Sequence, residues 1–273
     1  MYKYTLEEPL LQLDDLHLTL GGRKVLNGVS ALVRNIVRPD LTQGQVISFL
    51  GPSGVGKSQT FWAIAGLNPP DKGQVLLGAE SKPVKPGDVG VVTQHYTLFN
   101  HRTVLGNLLV AAKQRGMSPT EGKEKAMELL RRFGLADRAS AWPRELSGGQ
   151  RQRVAIAQQL LCSDKYLLMD EPFSGLDPVM KNEVCELIAE IAAADEHRTI
   201  IVITHDVRSA VYISDHIWLI GRDRDEAGNI IPGAKIQEEI DLMERGIAWR
   251  PNKEYLLAYE KTVHEIETRF QTL

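Results

Sequence analysis

The sequence has no long hydrophobic run. No stretch approaches the roughly 18 consecutive apolar residues that cross a bilayer as a helix, and the opening Met1-Tyr2-Lys3-Tyr4-Thr5 lacks the apolar core of a signal peptide. If the protein serves a membrane process, the spanning segments are expected on a different chain. Cysteine is scarce: Cys162 and Cys185 stand far apart and form no C-x-x-C pair, which argues against a disulfide framework or zinc site and makes a reducing cytoplasm the default. Nor is there a basic excess. The formal net charge of −3 argues against nucleic acid as a partner. Internal repeats and low-complexity tracts are also missing. The 273 residues read as an ordinary globular chain, long enough for one large domain or two small ones.

What is present is alternation of short β-like runs with helical patterns, which predicts an α/β fold with a mostly parallel sheet. Val46-Ile47-Ser48-Phe49-Leu50, Val89-Gly90-Val91-Val92, Tyr166-Leu167-Leu168-Met169 and Thr199-Ile200-Ile201-Val202-Ile203 are short, apolar core strands. Leu11, Leu13, Leu18 and Leu20 alternate with polar residues, as half-exposed antiparallel strands beside that core would. From Thr103 to Glu145 the pattern turns helical, with Val104, Leu108 and Ala111 on one face and a second helix starting at Ser118-Pro119. Gly221 to Gly233 reads as a turn-rich patch.

Gly51-Pro52-Ser53-Gly54-Val55-Gly56-Lys57-Ser58 fits G-x-x-x-x-G-K-[ST] between an apolar strand and a helix from about Lys57. Its glycines let several backbone N–H groups converge on a phosphate at a helix N-terminus, while Lys57 reaches the β- and γ-phosphates and the Ser58 hydroxyl binds Mg²⁺. The strand Tyr166 to Met169 ends in Asp170-Glu171. Carboxylates at a strand's carboxyl end belong where an α/β sheet binds ligands: Asp170 for Mg²⁺, Glu171 as general base for water attacking the γ-phosphate.

Leu146-Ser147-Gly148-Gly149-Gln150 matches the LSGGQ signature, and the chain resembles the ABC ATPase family from about Leu11 to Glu239. Phe173-Ser174-Gly175-Leu176-Asp177 is similar to the family's D-loop, Thr204-His205-Asp206 to its switch-histidine motif, and Gly90 to Gln94 with Tyr96 to Phe99 to its Q-loop region. The resemblance implies a P-loop NTPase core of ABC type over residues 1–250. It further implies an N-terminal antiparallel β subdomain, a helical signature subdomain at about 95–160, and ATP and Mg²⁺ as ligands. Gln94 would then sense the γ-phosphate through Mg²⁺ or the attacking water, with Ser58 and Asp170 completing the metal site, and His205 would contact the γ-phosphate. Residues 51–59 would hold the nucleotide, Gln59 replacing a usual threonine. Ser147, Gly148, Gly149 and Gln150 would act in trans on the nucleotide of a second ATPase subunit, with Asp177 at the dimer seam.

The implied partners are that second subunit, integral-membrane permease subunits docking near Tyr96, Phe99 or His101, and an extracytoplasmic solute-binding protein. The implied location is peripheral, on the cytoplasmic face of the inner membrane. The region from Tyr96 to Asn107 and the run Ile236 to Ile240 are similar to the nitrate/sulfonate/taurine importer group. The competing readings are the ATPase of an exporter, a soluble non-transport ABC ATPase and a nucleotide-binding regulator without turnover.

The chain departs from the family in three places. The adenine-stacking aromatic is replaced by Leu20, and no Phe, Tyr or Trp lies between Tyr4 and Phe49. Val33 to Gln43 reads as a solvated excursion, from which Arg34 or Arg38 would stack on the base unless it is a plain surface loop. The third is Gln59, where the family commonly has threonine. Separately, residues 251–273 read as an amphipathic helix capped by Asn252, with Leu256, Tyr259, Val263, Ile266 and Phe270 on one face. That face is expected against the chain's own core, the alternative being a partner subunit.

Overall fold

The computed structural model describes residues 4–38, 43–248, 253–270 and 273. Its centre is a parallel sheet of short strands: β3 (Gln45–Leu50), β6 (Gly90–Val92), β7 (Tyr166–Asp170), β8 (Thr199–Thr204) and β9 (His216–Arg224). Successive side chains leave opposite faces of a strand. Ile200 and Val202 of β8 therefore enter one apolar cluster, while Ile201 and Ile203 enter another. Burial on both faces is why these segments read as continuous apolar runs rather than alternating ones.

Beside this core, β1 (Thr5–Leu20) and β2 (Arg23–Val37) form a long antiparallel pair that β4 (Lys72–Leu77) and β5 (Lys82–Pro83) extend. Leu11 and Leu13, then Leu16 and Leu18, are buried; a register break at Asp14–Asp15, with Asp15 at φ 51°, shifts the parity between the two pairs. β10 (Ile230–Asp241) pairs antiparallel with β9 and touches β2 at Ala234↔Leu26, joining wing and core in one ten-stranded sheet among the described residues. The expected turn patch from Gly221 to Gly233 is thus mostly the two arms of a β9–β10 hairpin. The expected excursion from Val33 to Gln43 is also corrected over its described part. Arg34 is an exposed residue of β2 that donates to the Glu7 carbonyl, and Arg38 is buried against Asp215, so the one belongs to a strand and the other to the interior.

The helices cover both faces. α1 (Lys57–Ile64) follows β3; α2 (Val104–Gln114) and α3 (Pro119–Arg132) pack with α4 (Gly148–Cys162). Thr103 caps α2, accepting from Gly106 N–H, and Ser118 caps α3 ahead of Pro119, as those residue types predict. α5 (Pro178–Ala193) and α6 (Val207–Ile213) complete the layers, and α7 (Lys253–Phe270) lies on α6. The expected cap Asn252 lies outside the described residues. The buried side of α7 is Tyr255, Thr262, Val263 and Ile266, and its three larger members share a cluster with Val211, Ile240 and Leu242 of the same chain. Leu256, expected in that stripe, is 59% exposed.

Candidate functional site

The carboxyl ends of β3, β7 and β8 open on one cleft of about 450 Å³, lined by Val25, Ser53, Gly54, Gly56, Lys57, Ser58, Gln59, Gln94, Glu171, Ser174 and His205. The loop between β3 and α1 forms its floor. A side chain at Gly51 would meet the Ile220 carbonyl at 2.4 Å, and one at Gly56, which has φ +127°, would meet the Val25 carbonyl at 3.0 Å. Both positions require glycine for a physical reason: the loop is pressed against β9 and β2.

Lys57 is buried, and its ammonium donates to the Gly51 and Pro52 carbonyls at 2.8 and 3.0 Å, 3.6 Å from Glu171 Oε1. Burial holds the Lys57 pKa below the ordinary lysine value, against the opposing pull of Glu171 and Asp170. The cation is thus coiled within its own loop. Ser58 is exposed in the same cleft, and Gln59 is tied to Asn68 by a 2.8 Å hydrogen bond.

Glu171 sits just past β7 in the left-handed region, at φ 48°, with its N–H donating to the Ile203 carbonyl at 2.7 Å. A non-glycine residue there costs on the order of 1–3 kcal/mol and persists where the surroundings fix it. They do fix it: Glu171 Oε2 accepts from Thr204 Oγ1 at 3.1 Å and from the His205 backbone N–H at 3.3 Å, and lies 2.9 Å from His205 Nδ1. With Nδ1–H donating to the carboxylate, His205 keeps Nε2 for a ligand. Gln94 donates its amide to Ser174 Oγ at 3.2 Å, which leaves the amide oxygen as an acceptor. Asp170 is half-buried; desolvation raises its pKa, joined by Glu171 and opposed by Lys57. The Ser58 hydroxyl and the Gln94 amide oxygen in the cleft are hard oxygen ligands that suit Mg²⁺ when phosphate and water supply the rest, whereas the expected Asp170 carboxylate does not line it. No cluster of three or more His, Cys, Asp or Glu able to hold a metal alone occurs among the described residues.

Other expected residues lie elsewhere. Pro52 and Val55 belong to the loop without lining the cleft, Val55 being buried beneath it. Ser147 caps α4: its Oγ accepts from Gln150 N–H at 3.2 Å, and Gln150 Oε1 accepts from Ser147 N–H at 3.0 Å. Gly148 and Gly149 open that helix, and nothing lies within 4 Å of where a side chain would begin on either. Asp177 caps α5, accepting from Val179 and Met180 N–H. None of these five residues lines the cleft. Leu20 does not line it either: it stands at the β1–β2 hairpin tip, 41% exposed, and the wall residue is Val25. Sequence reasoning also missed Arg222, whose Nη2 donates to the Gly54 carbonyl at 2.7 Å from β9, 168 residues along the chain. Nothing near Arg222 in sequence signals that contact.

Residues 35–174 match the family model described as ABC transporter. Among curated proteins the chain is similar to the sulfate/thiosulfate import ATP-binding protein CysA of Pseudomonas putida, 37% identical over 73% of this chain and 62% of that protein. The same protein from Mesorhizobium japonicum is 39% identical over 68% and 56% respectively. The chain therefore spans less than two thirds of the length of these relatives. Among solved structures it is similar to cbiO1 from Clostridium perfringens, part of the ABC transporter complex cbiONQ. The TM-score is 0.71 at 24% identity, covering 96% of this chain and 100% of that one. A bacterial ABC transporter cassette solved as a dimer matches at TM-score 0.66 and 25% identity, covering 85% and 99%.

Proposed function

This chain belongs to the ABC transporter family, and from that premise we propose that it is the ATP-hydrolysing subunit of a membrane importer of small oxyanions. Its fold, a mixed sheet with helices on both faces, is the ABC ATPase fold. The observation that carries the activity is the meeting of Lys57, Ser58, Gln94, Glu171 and His205 in one cleft at the strand ends.

In this reading the loop N–H groups and Lys57 hold the β- and γ-phosphates, Lys57 exchanging its loop carbonyls for phosphate oxygens. Ser58, Gln94 and Asp170 would hold Mg²⁺, which neutralises phosphate charge during transfer. Glu171 takes a proton from the attacking water, and His205, already bound to Glu171, presents its other ring nitrogen to the γ-phosphate. The Ser147 to Gln150 turn, which does not line the cleft of its own chain, serves the nucleotide of a second subunit, with Asp177 at the seam.

The oxyanion class rests on two similarities, to sulfate/thiosulfate import proteins and to the nitrate/sulfonate/taurine pattern near Tyr96 and Ile236. No described helix is long and apolar enough to cross a membrane, so permease subunits would supply the path. They would dock around Phe99, 42% exposed, and His101, at the root of α2, with a solute-binding protein outside the membrane and this chain on the cytoplasmic face.

The test is Mg²⁺-dependent ATP hydrolysis by the purified chain. Glu171→Gln should lower kcat by roughly 10²–10⁴-fold while ATP binding survives, since only the base is removed. Turnover near wild type in that variant would take Glu171 out of its role.

A further inference from the structure

The hairpin of β9 and β10 touches the phosphate loop at three points. The Ile220 carbonyl of β9 crowds Gly51; the Ala234 methyl of β10 lies 3.0 Å from where a Gly56 side chain would begin; and Arg222 of β9 donates to the Gly54 carbonyl at 2.7 Å. Arg222 and Ala234 are direct cross-strand partners, so one rung of the hairpin serves both of the latter contacts. No motif of the phosphate loop includes this rung.

The Arg222 contact differs from the other two because it is polar and directed. The Gly54 carbonyl and the Val55 N–H belong to the same peptide group, and in a planar trans peptide they point in opposite directions. Gly54 has φ +76° and no side chain to hold it, so this peptide has little local restraint against turning over. Two groups restrain it: the Val55 side chain, buried among Leu26, Phe61 and their neighbours on one side, and Arg222 on the carbonyl on the other. A guanidinium that holds the carbonyl therefore also fixes the direction of the Val55 N–H. A charge-assisted bond to that oxygen also polarises the peptide and strengthens its N–H as a donor.

We propose that Arg222 is a positioning residue for the phosphate chain of a nucleoside di- or triphosphate, acting through the Gly54–Val55 peptide. This rests on the nucleotide-binding reading above and deepens it. Arg222 reads phosphate rather than base, so its loss weakens ADP and ATP alike. It acts on ground state and transition state equally, so KM rises while kcat does not.

Three full-length proteins test this: wild type, Arg222→Met and Arg222→Lys. Each is measured by calorimetric titration with ATP and with ADP, by steady-state hydrolysis, and by thermal melting without nucleotide. In Arg222→Met both nucleotides should bind about tenfold more weakly, the worth of one charge-assisted hydrogen bond. KM should rise in step, kcat should stay within about twofold, and the melting temperature should hold. Arg222→Lys, which keeps a cation on an aliphatic stem, should fall between the two. Wild-type affinity in Arg222→Met overturns the proposal. So does equal loss in both variants together with early melting, which makes Arg222 a brace of the hairpin. If Arg222→Met is too unstable to measure, the KM of Arg222→Lys decides: intermediate supports, unchanged overturns. A wild-type chain that binds neither nucleotide removes the reading beneath as well.

Discussion

Asp215 is completely buried, with one carboxylate oxygen 3.1 Å from Arg38 Nη2 and the other accepting Val46 N–H at 2.7 Å. Burial raises its pKa from 3.8 to about 7 despite the opposing pull of Arg38 and the Val46 hydrogen bond. A raised carboxylate means that the folded state holds the proton longer than the unfolded one. Its contribution to stability is complete below the unfolded pKa and is lost as pH rises through about 7. His216 next to it works the other way, because burial lowers its pKa. The difference between wild type and Asp215→Asn therefore isolates the carboxylate. Between pH 5 and pH 7 the wild-type stability in urea should fall relative to the variant by about 2–3 kcal/mol. Parallel curves would show that Asp215 stays ionised throughout. The pair also shows which residues were legible. Lys57, Ser58 and Glu171 were, through the phosphate-loop pattern at the start of α1 and the carboxylate pair that closes β7, and Gln94 and His205 were through the resemblance of their flanking residues to the family's motifs. Arg38 was not, since the partner that draws it inside lies 177 positions away. Arg222 was hidden for the same reason.

The tail helix α7 shows what an element's pattern can and cannot specify. Tyr259, Val263, Ile266 and Phe270 face the cluster of β9, β10 and α6 as their spacing predicts. At the first turn the spacing allows either Tyr255 or Leu256, both apolar, and the chain buries Tyr255. Polar contacts fix this roll. Tyr259 Oη donates to the Arg208 carbonyl at 2.9 Å, Arg208 grips Glu260 through its two terminal guanidinium nitrogens, and Arg245 does the same to Glu265. These partners lie on other elements, so no helical wheel contains them. Ile266→Ala should cost about 2–4 kcal/mol in urea unfolding, and Leu256→Ala no more than about 0.5 kcal/mol. The reverse ranking would mean that the helix is rolled by about one residue. The β9–β10 hairpin was misread for a related reason. Its glycines and Pro232 resemble a loop, whereas Gly221 and Gly233 sit where Gln237 and Asn27 press against the backbone.

At the scale of the whole molecule, the α/β class and the parallel core were legible from apolar runs, but the strand order was not. β10, late in sequence, slots between β2 and β9, and only the assembled sheet reveals that wing and core are continuous. The same view separates two glycine-rich helix starts, one lining the cleft and one not. If the second serves another copy, Glu171→Gln with ATP and Mg²⁺ should sediment as a dimer. Adding Gly149→Asp should abolish that dimer while each chain still binds ATP. The aspartate has room, since nothing stands within 4 Å of its first carbon, so folding is spared. A dimer that survives the added carboxylate would remove the signature turn from the contact. The sheet itself ends in β5 and β6, strands of two and three residues. Sheets join edge to edge when long rows of unpaired N–H and C=O groups lie open, and strands this short offer almost no row to extend. Crowding such molecules together therefore gives little purchase for β-aggregation, and their encounters stay a matter of side chains and shared ligand.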